Sequence, residues 1–169
     1  MEKILKIAHF FGLAVFLGSI PGHIVLGRLV DPAADLQGFA LLMYAKYMNV
    51  LALTLPGLAL MLLTGVALML RRGMTPNKLG WMAAKLTLVA LIALNGALVL
   101  TPLARDIATS AQAAVATGSL PAGFADLARK EGLFGAANLA MILVVIGLAV
   151  AKPSFRRAGM RARAEQAVS

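Results

Sequence analysis

GLFGAANLAMILVVIGLAVA, residues 132–151, runs for twenty residues without a charged side chain. A hydrocarbon core about 30 Å thick is crossed by about 20 apolar residues in an α-helix. Helix is the expected form because lipid offers no partner to a free backbone N–H or C=O. Three more uncharged runs precede it: IAHFFGLAVFLGSIPGHIVLG at 7–27, YMNVLALTLPGLALMLLTGVALML at 47–70, and LTLVALIALNGALVLTPLA at 86–104. Four such runs in 169 residues predict an all-α protein, a four-transmembrane-helix up-down bundle embedded in a lipid bilayer. The helices are expected over about 4–30, 41–70, 78–104 and 122–151, so that residues 1–152 form one transmembrane domain and 153–169 a basic tail.

The connections refine this picture. Asp31-Pro32 marks a turn after the first helix. Residues 105–117 are rich in alanine with interspersed polar side chains, which favours helix beyond the membrane. Gly118-Ser119-Leu120-Pro121 breaks that helix. An outer helical hairpin extension between the third and fourth helices is therefore expected. Pro21 and Pro56 fall inside helical runs and predict local irregularities there.

Hydrophobic residues make up 60% of the chain, which excludes an ordinary soluble domain. There are no cysteines, so disulfides, zinc thiolate sites and iron–sulfur clusters are excluded. The net charge of +9 does not point to nucleic acid, because the basic residues cluster at helix ends. Lys3, Lys6, Arg71, Arg72, Lys78, Lys152, Arg156, Arg157, Arg161 and Arg163 fall on one side. Arg28, Lys46, Arg105, Arg129 and Lys130 fall on the other, offset there by Asp31, Asp35, Asp106, Asp126 and Glu131. The positive-inside rule then puts the N- and C-termini in the cytoplasm. No A-x-A site follows the first run, so it reads as a retained anchor.

Ionisable groups inside the runs are candidates for function, because lipid makes them costly. They are basic only: His9 and His23, joined by Lys85 just before the third run, with no Asp or Glu in the runs. His9 and Lys85 lie at nearly the same depth, with Lys85 roughly 9 Å into its helix at 1.5 Å per residue. Lys85 would either snorkel to the interface beside Trp81 or meet an anion from outside the chain: a lipid phosphate, a ligand carboxylate or a propionate. His9 would bond a backbone carbonyl or a threonine, or coordinate a metal. His23 follows fourteen residues later, about 21 Å along the helix. With only two histidines in the chain, bis-histidine iron ligation would require a parallel homodimer that pairs His23 with His23 and His9 with His9.

Ala14, Gly18 and Gly22 recur every four residues, the small-xxx-small spacing that lets two helices approach closely. They form a helix-packing stripe suited to a second copy or another membrane-complex partner. Asn95, in the middle of the third run, is expected to bond across to a neighbouring helix. The sequence contains no recognisable catalytic constellation. Deep carboxylates of the kind that couple transport to protons or sodium are missing from the runs, so metal or small-solute permeation is a weaker alternative.

Lys6-x-x-His9, Leu55-Pro56-Gly57, Thr64-Gly65, Trp81-x-x-x-Lys85, Pro102-x-x-Arg105 and Lys152-Pro153 together resemble a family of small four-helix bacterial inner-membrane proteins defined as a domain of unknown function. More distantly, the layout is similar to HemJ-type protoporphyrinogen IX oxidase and to copper-resistance D-type membrane domains. The HemJ-type resemblance implies haem b, with His9 as an axial ligand to iron and Lys85 as the partner of a propionate. Asn95 stands where that family carries further histidine, which is a departure. The resemblance places the chain in the bacterial inner membrane, with a redox or haem-related role. The alternative is a non-enzymatic scaffold or subunit that packs through Ala14, Gly18 and Gly22.

Overall fold

A computed structural model of the chain describes residues 2–73 and 80–151. Six α-helices and two π-helical turns account for nearly all of them: α1 (Glu2–Leu26), α2 (Leu36–Asn49), a first π-turn (Val50–Thr54), α3 (Leu55–Arg71), α4 (Gly80–Asn95), a second π-turn (Gly96–Leu100), α5 (Thr101–Thr117) and α6 (Phe124–Ala151). No strand occurs among the described residues. Because α2 and α3 are continuous through the first π-turn, and α4 and α5 through the second, four long rods result. All four are long and apolar enough to cross a membrane. The basic residue Lys78, and the tail with Lys152, Pro153, Arg156, Arg157, Arg161 and Arg163, lie outside the described residues.

Both π-turns have the same cause. Pro56 and Pro102 lack an N–H and their rings crowd the carbonyl four residues earlier. The chain inserts one extra residue ahead of each, so Leu55 N–H bonds Val50 O and Thr101 N–H bonds Gly96 O. A hydroxyl reinforces the second turn, where Thr101 Oγ1 donates to Gly96 O at 2.8 Å. Pro21, by contrast, is accommodated inside α1 without ending it.

The helices form two halves. In the first, α1 runs along α3 with its backbone close enough that only glycine fits: a Cβ on Gly57 would stand 2.7 Å from Phe16 N, and one on Gly12 would stand 2.8 Å from Met61 N. In the second, α4 and α5 pack on α6. The halves share one extensive helix–helix contact, α2 on α5. There α5 buries Ala104, Ile107, Ala108, Ala111 and Ala114, and Ile107 and Ala111 pack on Phe39, Ala40 and Met43. Phe124 closes this layer, its ring 5.7 Å from that of Phe39. Gly118, at φ 78°, ends α5 in the left-handed conformation that glycine adopts without strain. A second layer, Phe16, Leu58, Ile92 and Ile142, joins α1, α3, α4 and α6 through side chains.

Two ends can thus be distinguished. The terminal end holds the start of α1 and the end of α6, with Glu2 bonded to Lys6 at 3.0 Å and to Arg72 at 2.9 Å. The distal end holds the α2–α5 packing and the α5–α6 hairpin, which is the extension expected from the sequence.

Candidate functional site: a buried charge cluster at the distal end

The charged residues buried inside the described bundle are Lys46 and Glu131. Their side chains retain 9% and 11% of their exposure, and Lys46 Nζ donates to Glu131 Oε2. The second carboxylate oxygen, Oε1, lies 3.2 Å from His23 Nε2. The imidazole is the most open member, at 26%. A carboxylate with both oxygens occupied by nitrogen donors is well satisfied, and such charge-assisted bonds are the strong ones. Glu131 thereby ties α6 to α2 and α1 at once, across the division between the halves.

Each member reaches the cluster by helical periodicity. On α2, Lys46 continues the buried face of Phe39 and Met43 and is followed by Val50. On α1, His23 continues the face of Gly12, Phe16 and Ser19. On α6, Glu131 lies seven residues from both the buried Phe124 and Asn138, with Ile142 one turn beyond. The Lys46 side chain also meets the last turn of α1. A Cβ on Gly27 would be 3.4 Å from Lys46 Nζ, so the ammonium lies against the helix C-terminus. The helix dipole there favours positive charge.

Below the cluster lies a polar layer. Asn49 Nδ2 donates to Ser19 O at 3.0 Å, Thr54 Oγ1 donates to Ser19 Oγ at 2.8 Å, and Ser19 Oγ donates to Phe16 O at 2.7 Å. In the second half, Asn95 Nδ2 donates to Phe134 O at 3.1 Å and to Asn138 Oδ1 at 3.2 Å. Asn95 therefore makes the interhelical bond expected of it. Every buried side-chain nitrogen and oxygen among the described residues has a partner.

The residues singled out from sequence are dispersed. His9 is bound to α3: its Nδ1 lies 2.9 Å from Met61 O and 3.2 Å from Thr64 Oγ1. A carbonyl oxygen only accepts, so Nδ1 carries the proton and Nε2 holds the lone pair. The ring rests on Gly65, where an added Cβ would be 3.1 Å from His9 Cε1. Lys85 is half-buried on α4 and makes no hydrogen bond or ion pair with another described residue. No bond links His9 to Lys85, and α1 and α4 share no extensive packing. His23 has its Nε2 engaged by Glu131 rather than open to iron. No group of three or more metal-ligand side chains converges among the described residues.

Ala14 and Gly18 are exposed, and no atom comes within 4 Å of a Cβ placed on Gly18 or Gly22. The stripe therefore faces away from the chain's own bundle, and the close approach is made by Gly12 and Gly57 instead.

The residue missed from sequence is Glu131. Standing one position before an uncharged run, it reads as an interfacial acid, and Lys46 reads in the same way before the second run. Their shared register with the aromatic and aliphatic core positions was the available signal.

Several short motifs now have physical roles. Thr64-Gly65 seats the His9 ring, Gly57 admits α1, and Pro56 and Pro102 set the two π-turns. No curated protein and no solved structure matches the chain. A family model matches residues 3–153, nearly the whole length and all four apolar helices, and the chain belongs to the family described as "Predicted integral membrane protein (DUF2269)".

Proposed function

We propose that this multi-pass membrane protein resides in the bacterial inner membrane with both termini in the cytoplasm, and that the terminal half of its bundle holds haem b on His9. One observation carries the haem reading. Nδ1–H of His9 is fixed on Met61 O and Thr64, which leaves Nε2 with its lone pair and no bond to another described residue. A metal-ligating histidine is commonly held in this way, with its other ring N–H on a carbonyl oxygen. The donor set fits a single axial histidine. Lys85 has no carboxylate partner among the described residues, and no contact places it beside His9. A haem so held would supply one-electron redox chemistry, and the protein's part is to orient the imidazole and exclude water.

The test is an absorption spectrum of protein purified in detergent after haem-replete expression. A Soret band that is lost in His9→Ala and weakened in Thr64→Val is expected. No band, or a band unchanged in His9→Ala, refutes the proposal.

A second reading is favoured by the open stripe. Gly18 and Gly22 present bare backbone to the membrane, the surface on which a second copy of α1 would pack. Gly18→Leu would then dissociate a homodimer in native lipid without altering any bound cofactor. A monomer in the unmodified protein removes this reading.

A further inference from the structure

We infer that His23, seated between Glu131 and the C-terminal turn of α1, is a proton-binding site whose occupancy sets the tightness of the tie between α1 and α6 at the distal end. The geometry carries this inference independently of the haem proposal. Beyond α2 on α5, the two halves share no extensive helix–helix contact among the described residues. At the level of the cluster, the connection of α6 to α1 is the bond from His23 Nε2 to Glu131 Oε1 at 3.2 Å. Lys46 makes the parallel connection from α2 to the other oxygen of the same carboxylate.

The charges around the imidazole decide how it responds. From α6 it faces the carboxylate of Glu131, and from its own helix the partial negative charge of the α1 terminus, roughly half an elementary charge. From α2 it faces the ammonium of Lys46. Glu131 in turn feels His23 and Lys46 as its charged neighbours. The remaining charged residues of this end, Arg28, Asp31, Asp35, Arg105, Asp106, Asp126, Arg129 and Lys130, are exposed. With His23 neutral, Lys46 alone balances the carboxylate, and the α1–α6 bond is an ordinary neutral donor on an anion. With His23 protonated, that bond becomes an ion pair and the terminus of α1 gains a second cation. Imidazole is the side chain whose ordinary titration falls between about pH 5 and 8. At 26% exposure, it is the member of the cluster best placed to exchange protons with water.

The experiment is a ¹⁵N-histidine NMR titration of the full chain in lipid nanodiscs. The chain has two histidines, so His23→Gln assigns the signals. The scan follows the His23 signal over about pH 5 to 8, where imidazole ordinarily titrates. Glu131→Gln should lower its proton affinity about tenfold or more, and Lys46→Gln should raise it by a similar factor. The opposite signs keep the test decisive if one variant fails to fold.

The mechanical half is read by spin labels on Val25→Cys and Leu133→Cys, exposed positions of α1 and α6 in a chain without native cysteine. Their separation should be narrower and shorter below the titration midpoint than above it, and independent of pH in Glu131→Gln. The proposal is overturned by a His23 signal that does not titrate in this window. A midpoint indifferent to both neighbours, or a titration with no change in label separation, also overturns it.

Discussion

Removing the Glu131 carboxylate should be the most damaging single change in the distal half, and replacing its partner as well should undo the damage. In Glu131→Leu, the Lys46 ammonium stays at a site where its side chain keeps only 9% of its exposure. Its remaining neighbours are the end of α1 and the His23 ring. Breaking a buried pair by removing one partner costs about 3–5 kcal/mol, because the surviving charge is left uncompensated. Lys46→Met is milder, since His23 still offers Glu131 a donor that can become charged; a loss of about 1–3 kcal/mol is expected. In Lys46→Met/Glu131→Leu neither charge remains, and apolar replacements of similar volume are often neutral or stabilising. The double variant should therefore be far more stable than the sum of the two singles implies. The assay is reversible unfolding in mixed micelles, analysed as a double-mutant cycle. The reasoning fails if Glu131→Leu costs less than about 1 kcal/mol, the range of an exposed pair. It also fails if the two losses simply add.

Three further outcomes are expected from the packing. Gly57→Ala, whose Cβ would meet Phe16 N at 2.7 Å, should force α1 from α3 and cost about 1–3 kcal/mol in the same unfolding assay. Gly18→Ala should fall within about 0.5 kcal/mol of the parent for the monomeric fold, because open space surrounds that position. Asn95→Leu should lose about 0.6 kcal/mol, the usual worth of an interhelical hydrogen bond in a membrane, and should leave α1–α3 crosslinking unchanged.

The four rods were legible because an uncharged run of about twenty residues has few other fates. The α5–α6 hairpin was legible for a similar reason, as the alanine-rich stretch ends at Gly118. The π-turns were less so. Pro56 and Pro102 announce a disturbance, but whether a helix kinks, breaks or inserts a residue depends on how the backbone closes around it. Here Leu55 N–H on Val50 O and Thr101 N–H on Gly96 O close the widened turns.

Chemistry was harder to read, because hydropathy locates charges along the chain and not around the helix. Glu131 and Lys46 flank apolar runs and were counted as interfacial. Yet each occupies the core register of its own helix, and both side chains are buried. His9 and Lys85 lie at matching depths in sequence. Depth alone did not bring them together, since α1 packs on α3 and α4 packs on α6. Ala14, Gly18 and Gly22 carry the spacing of a packing face, while Gly12 and Gly57, which have no repeat to announce them, make the close approach.

The most direct measurement is a solid-state NMR dipolar contact between lysine ¹⁵Nζ and glutamate ¹³Cδ, made on the full chain in lipid. Glu2→Gln serves as the background, which removes the exposed Glu2–Lys6 pair. A strong contact that disappears in Lys46→Gln is expected. If no contact is seen, or if the contact survives Lys46→Gln, the carboxylate of Glu131 does not hold the halves together.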